Sequence, residues 1–194
     1  MKRSLENDDV AETKNVNVQF VALGAGQEVG RSCHMLNFSD NKSVMLDCGI
    51  HPAKDGLGAL PSFFNDYLDF DNVKLCLITH FHLDHVAGLP YLMMETDFKG
   101  QVYMTLATRA ISRLMLTDFA RRSSTSNKDD SKPLYTENQV EECLKKVKIV
   151  EFHQEINVDG IKFVAYHAGH VLGAAMFSVE FDGIKTLYTG DYSR

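Results

Sequence analysis

The sequence of 194 residues predicts an α+β domain in which β-sheets pack together and helices lie outside them. Runs with strand character occupy both ends of the chain, and helical periodicity is concentrated in its middle. The C-terminal part also places Asp159-Gly160 and Asp182-Gly183 between extended segments, as two-residue hairpin turns do. These patterns do not fix the order of the layers.

The strands are expected to begin after a polar stretch, residues 1–15, which predicts a flexible N-terminus. The run VKLCLIT is apolar throughout, which is typical of a strand covered on both faces. The predicted strands are Val16–Leu23, Ser32–Phe38, Ser43–Asp47, Val73–Thr79, Lys162–Tyr166, Ala175–Phe181 and Lys185–Tyr188.

Two longer helices are predicted in the middle of the chain. The first spans Thr108 to Ala120, and its expected apolar stripe comprises Ile111, Leu114, Met115 and Phe119. The second begins at Thr136, where Gln139 three residues later completes a capping box. A shorter helix is expected after His85.

Composition excludes several classes of protein. No apolar run approaches the roughly 20 residues of a membrane span, and Met1–Glu6 has no apolar segment after its basic residues. The net charge of −6 argues against a basic nucleic-acid platform, so any grip on RNA would have to come from metal ions or a local patch. The cysteines form no C-x-x-C pair, which favours reduced, buried thiols; they are Cys33, Cys48, Cys76 and Cys143.

One motif dominates the candidate chemistry. The run His80-Phe81-His82-Leu83-Asp84-His85 directly follows the apolar strand, and α/β proteins build their sites at the carboxyl ends of strands. Imidazole and carboxylate groups are the ligands that zinc accepts. Neighbouring side chains point apart, so the run can serve two nearby ions better than one. A His-rich surface turn is the weaker interpretation, because five of the eight histidines fall in this run and in His167-Ala168-Gly169-His170.

Three other strand ends carry candidate residues. One of His167 and His170 could complete a three-histidine site, with the other as a supporting or packing residue. Asp191 could bridge two cations, although an Asp beside Gly is more often a turn former. Asp47, taken by itself, fits a helix cap or a turn at least as well as a site.

Taken in order, these motifs resemble those of the metallo-β-lactamase superfamily. The flanking runs are most similar to its β-CASP branch, and within that branch to the endonuclease subunits of the cleavage and polyadenylation specificity factor. The runs are LGAGQEVGRSC (Leu23–Cys33), MLDCGIHP (Met45–Pro52), THFHLDH (Thr79–His85), YHAGHVLGAAMF (Tyr166–Phe177) and LYTGDYSR (Leu187–Arg194).

The resemblance implies an αββα sandwich and a zinc-dependent endonuclease that cuts pre-messenger RNA at the 3′-end processing site before polyadenylation. It implies that one zinc is held by His80, His82 and His170, and the other by Asp84 and His85. Asp191 would bridge the two ions, and Asp47 would orient ligands and the nucleophile. We therefore expect Asp84 and Asp47 to serve catalysis, and His167 to be a neighbour of the site.

The resemblance also implies that residues 16–194 are the N-terminal portion of the lactamase domain, without the β-CASP domain and the closing segment. The second zinc site would then be incomplete, with Asp84, His85 and Asp191 as its protein ligands, and the chain alone would be inactive. The strands that complete the second sheet would be missing. We therefore expect self-association through Ile184–Tyr188 or Ala175–Phe181.

Other functions stay open at this point. An Integrator-type RNA endonuclease shares the motifs, and a non-catalytic scaffold paralogue shares the fold. A small-molecule hydrolase is the remaining alternative, because the superfamily motif alone does not choose a substrate. If the chain belongs to a pre-messenger RNA 3′-end endonuclease, we expect RNA and other subunits of the 3′-end processing complex as its partners. We expect no association with a membrane and a location in the nucleus.

Overall fold

A computed structural model of the chain describes residues 17–64, 68–125 and 133–194. The expected flexible terminus, residues 1–15, lies outside these ranges. The strands are β1 (Val18–Gly24), β2 (Cys33–Phe38), β3 (Lys42–Leu46), β4 (Val73–Leu77), β5 (Gln101–Met104), β6 (Lys148–Ile149), β7 (Glu155–Val158), β8 (Ile161–His167), β9 (Ala175–Phe181) and β10 (Ile184–Tyr188). The α-helices are α1 (Leu83–Val86), α2 (Leu89–Glu95), α3 (Leu106–Thr125) and α4 (Glu137–Lys146).

The strands form two sheets. The first has the order β1-β2-β3-β4-β5-β6, in which β1, β2 and β3 are antiparallel neighbours and β3 to β6 run parallel. The second has the order β10-β9-β8-β7 and is antiparallel throughout. Its two hairpins turn at Asp159-Gly160 and Asp182-Gly183, where all four residues have positive φ. The expected two-residue turns are thus confirmed.

Two apolar cores lie on opposite faces of the first sheet. In β4, Leu75 and Leu77 face the core between the sheets, while Cys76 faces the core under the helices. The prediction of a strand covered on both faces is confirmed. The four cysteines are buried and unpaired, as expected.

In the described part of the chain, the core formed by the helices lies against the first sheet. The capping box is confirmed, since the Thr136 hydroxyl accepts from the Gln139 amide and the Gln139 side chain accepts from the Thr136 amide. The stripe expected on α3 is wrong in one respect: Leu114 is 71% exposed, and the buried residues are Thr108, Ser112, Leu116 and Ala120. Polar Thr108 and Ser112 lie on the inner face, so the buried side of the helix cannot be found from apolar residues alone.

Helices, first sheet and second sheet give three of the four layers of the expected αββα sandwich. Within the described ranges, no helix covers the outer face of the second sheet. Strand β10 is one edge of that sheet. Strand β9 is different, because its apolar residues Phe177, Val179 and Phe181 are buried between the sheets, so it offers no uncovered apolar face there.

None of the helices in the described part of the chain has both the length and the apolar character that crossing a bilayer requires.

Self-association of the 194-residue chain is therefore expected through the edge strand β10. A lysine on an edge strand opposes pairing with another chain, and Leu187 is 57% exposed on this strand. We expect Leu187→Lys to lower the apparent mass in light scattering across a concentration series without changing the unfolding midpoint. Leu114→Lys on α3, a matched exposed leucine, should leave the mass unchanged. A chain that stays monomeric at the highest concentration would show that β10 recruits no partner.

Candidate metal centre

The candidate residues lie at strand ends that the fold brings together. Asp47 follows β3 and His80 follows β4, and these strands are parallel neighbours, so both residues emerge at the same edge of the first sheet. The second sheet contributes His170, from the loop between β8 and β9, and Asp191, from the turn after β10. The site therefore forms where the two sheets meet.

Four of these side chains form one cluster. His80, His82, His170 and Asp191 each offer a ligand atom, and these atoms lie within 4.8 Å of one another. The His82 Nδ1 atom is 3.0 Å from His80 Nε2 and 3.3 Å from His170 Nε2. The Asp191 Oδ2 atom is 3.8 Å from His80 Nε2 and 3.7 Å from His170 Nε2. The imidazoles and the carboxylate thus face a common point.

A second group adjoins this cluster and shares Asp191 with it. The His85 Nε2 atom is 3.6 Å from Asp191 Oδ2 and 3.7 Å from Asp84 Oδ2. One oxygen of Asp191 therefore lies between the three-histidine cluster and the Asp84–His85 pair. This is the arrangement that a carboxylate bridging two cations requires.

Asp47 lies behind the site and is hydrogen-bonded to residues around it. The carboxylate is fully buried and accepts hydrogen bonds from Thr79, His85 and Tyr188. The distances are 2.7 Å from the Thr79 amide, 2.9 Å from the Thr79 hydroxyl, 2.9 Å from His85 Nδ1 and 2.9 Å from the Tyr188 hydroxyl. Because it is enclosed by donors, the Asp47 carboxylate does not face the open site.

These hydrogen bonds also fix which ring nitrogen of each histidine is available. His85 donates its Nδ1 proton to Asp47, so its Nε2 atom faces Asp84 and Asp191. The Thr79 hydroxyl donates to Asp47, which leaves the Thr79 oxygen to accept from His80 Nδ1 at 2.9 Å. The Nε2 lone pair of His80 is thereby aimed at the cluster. Partners of this kind select the tautomer of a metal-binding histidine.

The surroundings shift the pKa values of the residues at the site in different directions. Burial and the charge of His85 lower the pKa of His80 to about 4, so its imidazole is neutral at pH 7. Burial and the neighbouring His170 also lower the pKa of His82. Burial opposes the charge of His85, but its contact with Asp47 raises its pKa to about 9. Burial likewise acts to raise the pKa of Asp47, yet His85 and the Thr79 amide outweigh it and the pKa falls below its ordinary value.

Close contacts between loops hold the ligands in position. The Ser193 hydroxyl accepts from the His170 amide at 2.7 Å, and the Ser193 amide donates to the Ala168 carbonyl at 2.9 Å. A side chain at Gly169 would approach the Ser193 carbonyl oxygen to 2.3 Å, so only glycine allows this contact. At Gly190 a side chain would approach Thr79 to 2.7 Å. The turn that carries Asp191 is thus locked against both the His170 loop and Thr79.

The structure brings together all six residues proposed as ligands from the sequence. They are His80, His82, Asp84, His85, His170 and Asp191. His167 lies outside this group and stacks on Phe152.

Sequence reasoning missed three supporting residues: Thr79, Tyr188 and Ser193. Thr79 and Tyr188 stand at the ends of strands that lead into the motifs, which is the signal that could have identified them. Ser193 had no such signal, because its partner His170 is distant in the sequence.

The geometry fits a tetrahedral metal ion. Ligand nitrogens about 2.0–2.1 Å from zinc lie about 3.3 Å apart along a tetrahedral edge, and the two imidazole separations here are 3.0 and 3.3 Å. Two unprotonated imidazole nitrogens this close repel each other unless a proton or a cation lies between them. The described residues can therefore bind a metal ion with His80, His82, His170 and Asp191.

A comparison with protein families gives one match that covers most of the chain. The model of a metallo-β-lactamase superfamily domain matches residues 35–194. This range includes the whole second sheet, the first sheet from within β2 onward, and every candidate residue named above.

Curated relatives are about half identical to the chain. The endoribonuclease YSH1 of Yarrowia lipolytica is 51% identical over 90% of this chain. The cleavage and polyadenylation specificity factor 73 of Drosophila melanogaster is 52% identical over 91%, and the cleavage and polyadenylation specificity factor subunit 3-I of Arabidopsis thaliana is 51% identical over 89%. The chain spans only 21%, 25% and 24% of the length of these three relatives, respectively.

Solved structures share the fold at low identity. A metallo-β-lactamase from Cronobacter sakazakii matches with a TM-score of 0.54 and 16% identity, covering 88% of this chain and 60% of that one. The Rm3 metallo-β-lactamase matches with a TM-score of 0.52 and 19% identity, covering 87% and 56%. The expected metallo-β-lactamase fold is thereby confirmed.

The role of Asp47 predicts a measurable effect of Tyr188→Phe. Burial and Asp47 raise the pKa of Tyr188 well above its ordinary value, so its hydroxyl stays protonated and donates. Losing a hydrogen bond to a buried carboxylate costs about 1.5–3 kcal/mol, and losing a residue that orients ligands weakens metal binding about 10–100-fold. We expect both effects, measured by denaturant unfolding and by zinc competition with a chelator.

The matched control is Tyr192→Phe, because Tyr192 is 67% exposed and should tolerate the change in both assays. If Tyr188→Phe behaved like this control, the hydroxyl would not support the site, and Asp47 would be held by its other donors alone.

Proposed function

Because the chain belongs to the metallo-β-lactamase superfamily, we propose that it carries the metal centre of a zinc-dependent RNA endonuclease. The substrate we propose is pre-messenger RNA, cut at the 3′-end processing site before polyadenylation. One observation carries the proposal: six His and Asp residues that can bind metal converge in a chain about half identical to relatives named as endoribonucleases and as cleavage and polyadenylation factors.

We assign His80, His82 and His170 to one zinc, Asp84 and His85 to a second, and Asp191 to both. Zinc suits this donor set because it accepts imidazole and carboxylate ligands in tetrahedral sites. Two such ions, when bound, lower the pKa of a bound water and stabilise the charge that develops on a phosphodiester. The residues of this chain orient the metal ligands and select the tautomers of the ligand histidines. They also determine from which side the phosphodiester reaches the site.

Access follows from the unequal burial of the ligands. His80 is fully buried, whereas His170 and Asp191 are exposed. A phosphodiester would therefore approach from the side of His170 and Asp191, while the relay from Asp47 through Thr79 to His80 holds the inner side rigid. With a net charge of −6, the chain would hold the phosphate mainly through its bound cations.

Asp84 and Asp47 play different parts in this proposal. The Asp84 side chain is 32% exposed and lies beside His85 Nε2, so it can reach the metal and the reacting groups. Asp47 positions His85 and His80 from behind. Asp84 is therefore the catalytic residue of the two, and Asp47 is a positioning residue.

The alternatives have less support. The relatives described above are named for cleavage and polyadenylation or as YSH1 endoribonucleases, so an Integrator-type role is not favoured. A non-catalytic scaffold would not need these six residues to converge. The likeness to lactamases, at under 20% identity, concerns the fold and does not favour a small-molecule substrate.

The names of the same relatives support a proposal for the partners and the cellular location of the protein. We propose that the protein acts on RNA with other subunits of a 3′-end processing complex, and therefore in the nucleus.

The ligand assignment predicts that His82→Ala in the complete protein abolishes metal-dependent cleavage of a pre-messenger RNA substrate. His82 contacts both His80 and His170, so its loss opens the cluster and lowers zinc content. Cleavage is followed on labelled RNA, and zinc by elemental analysis. His51→Ala, which removes an imidazole outside the cluster, should keep both zinc and activity. Metal-dependent cutting that survives His82→Ala would contradict the assignment.

A further inference from the structure

The loop between β8 and β9 has two sides. On one side, His170 reaches the metal cluster. On the other side, Gly169, Leu172 and Gly173 line a separate cavity of about 380 Å³. The start of α3 and the segment after β6 form the opposite walls, with Leu106 and Phe152 among their residues. The cavity thus shares a wall with the proposed active site.

Two aromatic rings, those of Phe152 and His167, line this cavity, and two more lie next to them. The rings of Phe152 and His167 are stacked, with centroids 3.6 Å apart and an interplanar angle of 29°. His153 meets His167 edge-on at 5.9 Å, and Tyr166 lies 5.3 Å from His153. His167 itself is exposed, so its imidazole presents surface that Phe152 does not cover.

The backbone around these rings is held firmly. The Gly173 carbonyl accepts from the Thr105 hydroxyl at 2.7 Å and from the Thr108 hydroxyl at 3.1 Å, which ties the loop to α3. The His153 amide donates to the Ala165 carbonyl at 2.8 Å, which ties the aromatic segment to β8. The ring platform is therefore preformed.

The lining indicates which part of a substrate fits there. None of the described residues that line the cavity is Lys or Arg, and Glu151 is among them. A phosphate would meet a negative charge and no cation. A planar, uncharged aromatic group would instead stack on the rings, which is how proteins hold the bases of single-stranded nucleic acids.

Position relates this cavity to the scissile phosphate. His167 precedes His170 by three residues, so their Cα atoms are at most about 11 Å apart. Successive nucleotides of a stacked strand are about 3.4 Å apart. A base on His167 would therefore belong to a nucleotide near the phosphate at the metal centre.

We propose that the His167–Phe152 platform is a subsite that binds one nucleobase of single-stranded RNA next to the cleavage site. This inference rests on the proposed function and adds to it a position at which the substrate must be unpaired and must carry a base. His167 thereby gains a role in substrate binding that is separate from metal ligation.

The first part of the test is an abasic scan with the complete protein, together with any subunits that co-purify with it. Synthetic RNAs each lack one base near the cleavage site, and KM and kcat are measured for each. One position should raise KM about 5- to 150-fold, the range expected for loss of one stacked base, with kcat unchanged. Binding of each RNA is followed in parallel by fluorescence anisotropy.

The second part uses His167 variants. His167→Ala should raise KM for intact RNA by a similar factor. For the abasic RNA that raised KM with the wild-type protein, His167→Ala should cause no further increase in KM. His167→Phe should restore KM, because it keeps the ring and removes only the ring nitrogens. Phe64→Ala removes an 81% exposed aromatic ring elsewhere on the surface and should change nothing.

The outcomes separate this inference from the proposed function. If the wild-type protein neither binds nor cuts the RNA, the proposed function falls and the subsite with it. Suppose instead that the protein cuts RNA but no abasic position raises KM, or that the effects of the missing base and of His167→Ala on KM add in full. Only the subsite is then overturned. Loss of a co-purifying subunit from His167→Ala, with RNA binding intact, would assign the cavity to a protein and also overturn the proposal.

Discussion

The buried carboxylate of Asp47 accepts hydrogen bonds from Thr79 just after β4, from His85 in α1 and from Tyr188 at the end of β10. A buried charge is costly unless it is fully paired, so these three elements must keep their positions around it. The same contacts aim the metal-facing nitrogens of His80 and His85. Stability of the fold and geometry of the site therefore depend on the same group.

The packing of the two sheets is the second requirement for the site. The first sheet alone supplies the H-x-H-x-D-H run, but His170 and Asp191 arrive from the second sheet. Tyr188 of β10 reaches across to Asp47, and Asp191 follows it after a short turn. Burial of the apolar residues between the sheets thus sets the distance from Asp191 to all three histidines that it approaches.

Much of this arrangement could be predicted from the sequence, because its signals are local. The capping box at Thr136, the hairpin turns and the two-sided burial of β4 depend on residues close in the chain. The pairing of Ser193 with His170 depends on a long-range contact and left no local pattern. The buried face of α3 was misplaced at Leu114, since polar Thr108 and Ser112 occupy the inner side.

The most direct test of a two-ion site organised by Asp47 is a crystal structure of the complete protein grown with zinc, with anomalous diffraction recorded at the zinc edge. We expect two anomalous peaks, one bound by His80, His82 and His170 and one by Asp84 and His85. Asp191 should contact both ions, and Asp47 should contact His85 and neither ion. A peak bound by His167, or Asp47 bound directly to zinc, would contradict the account.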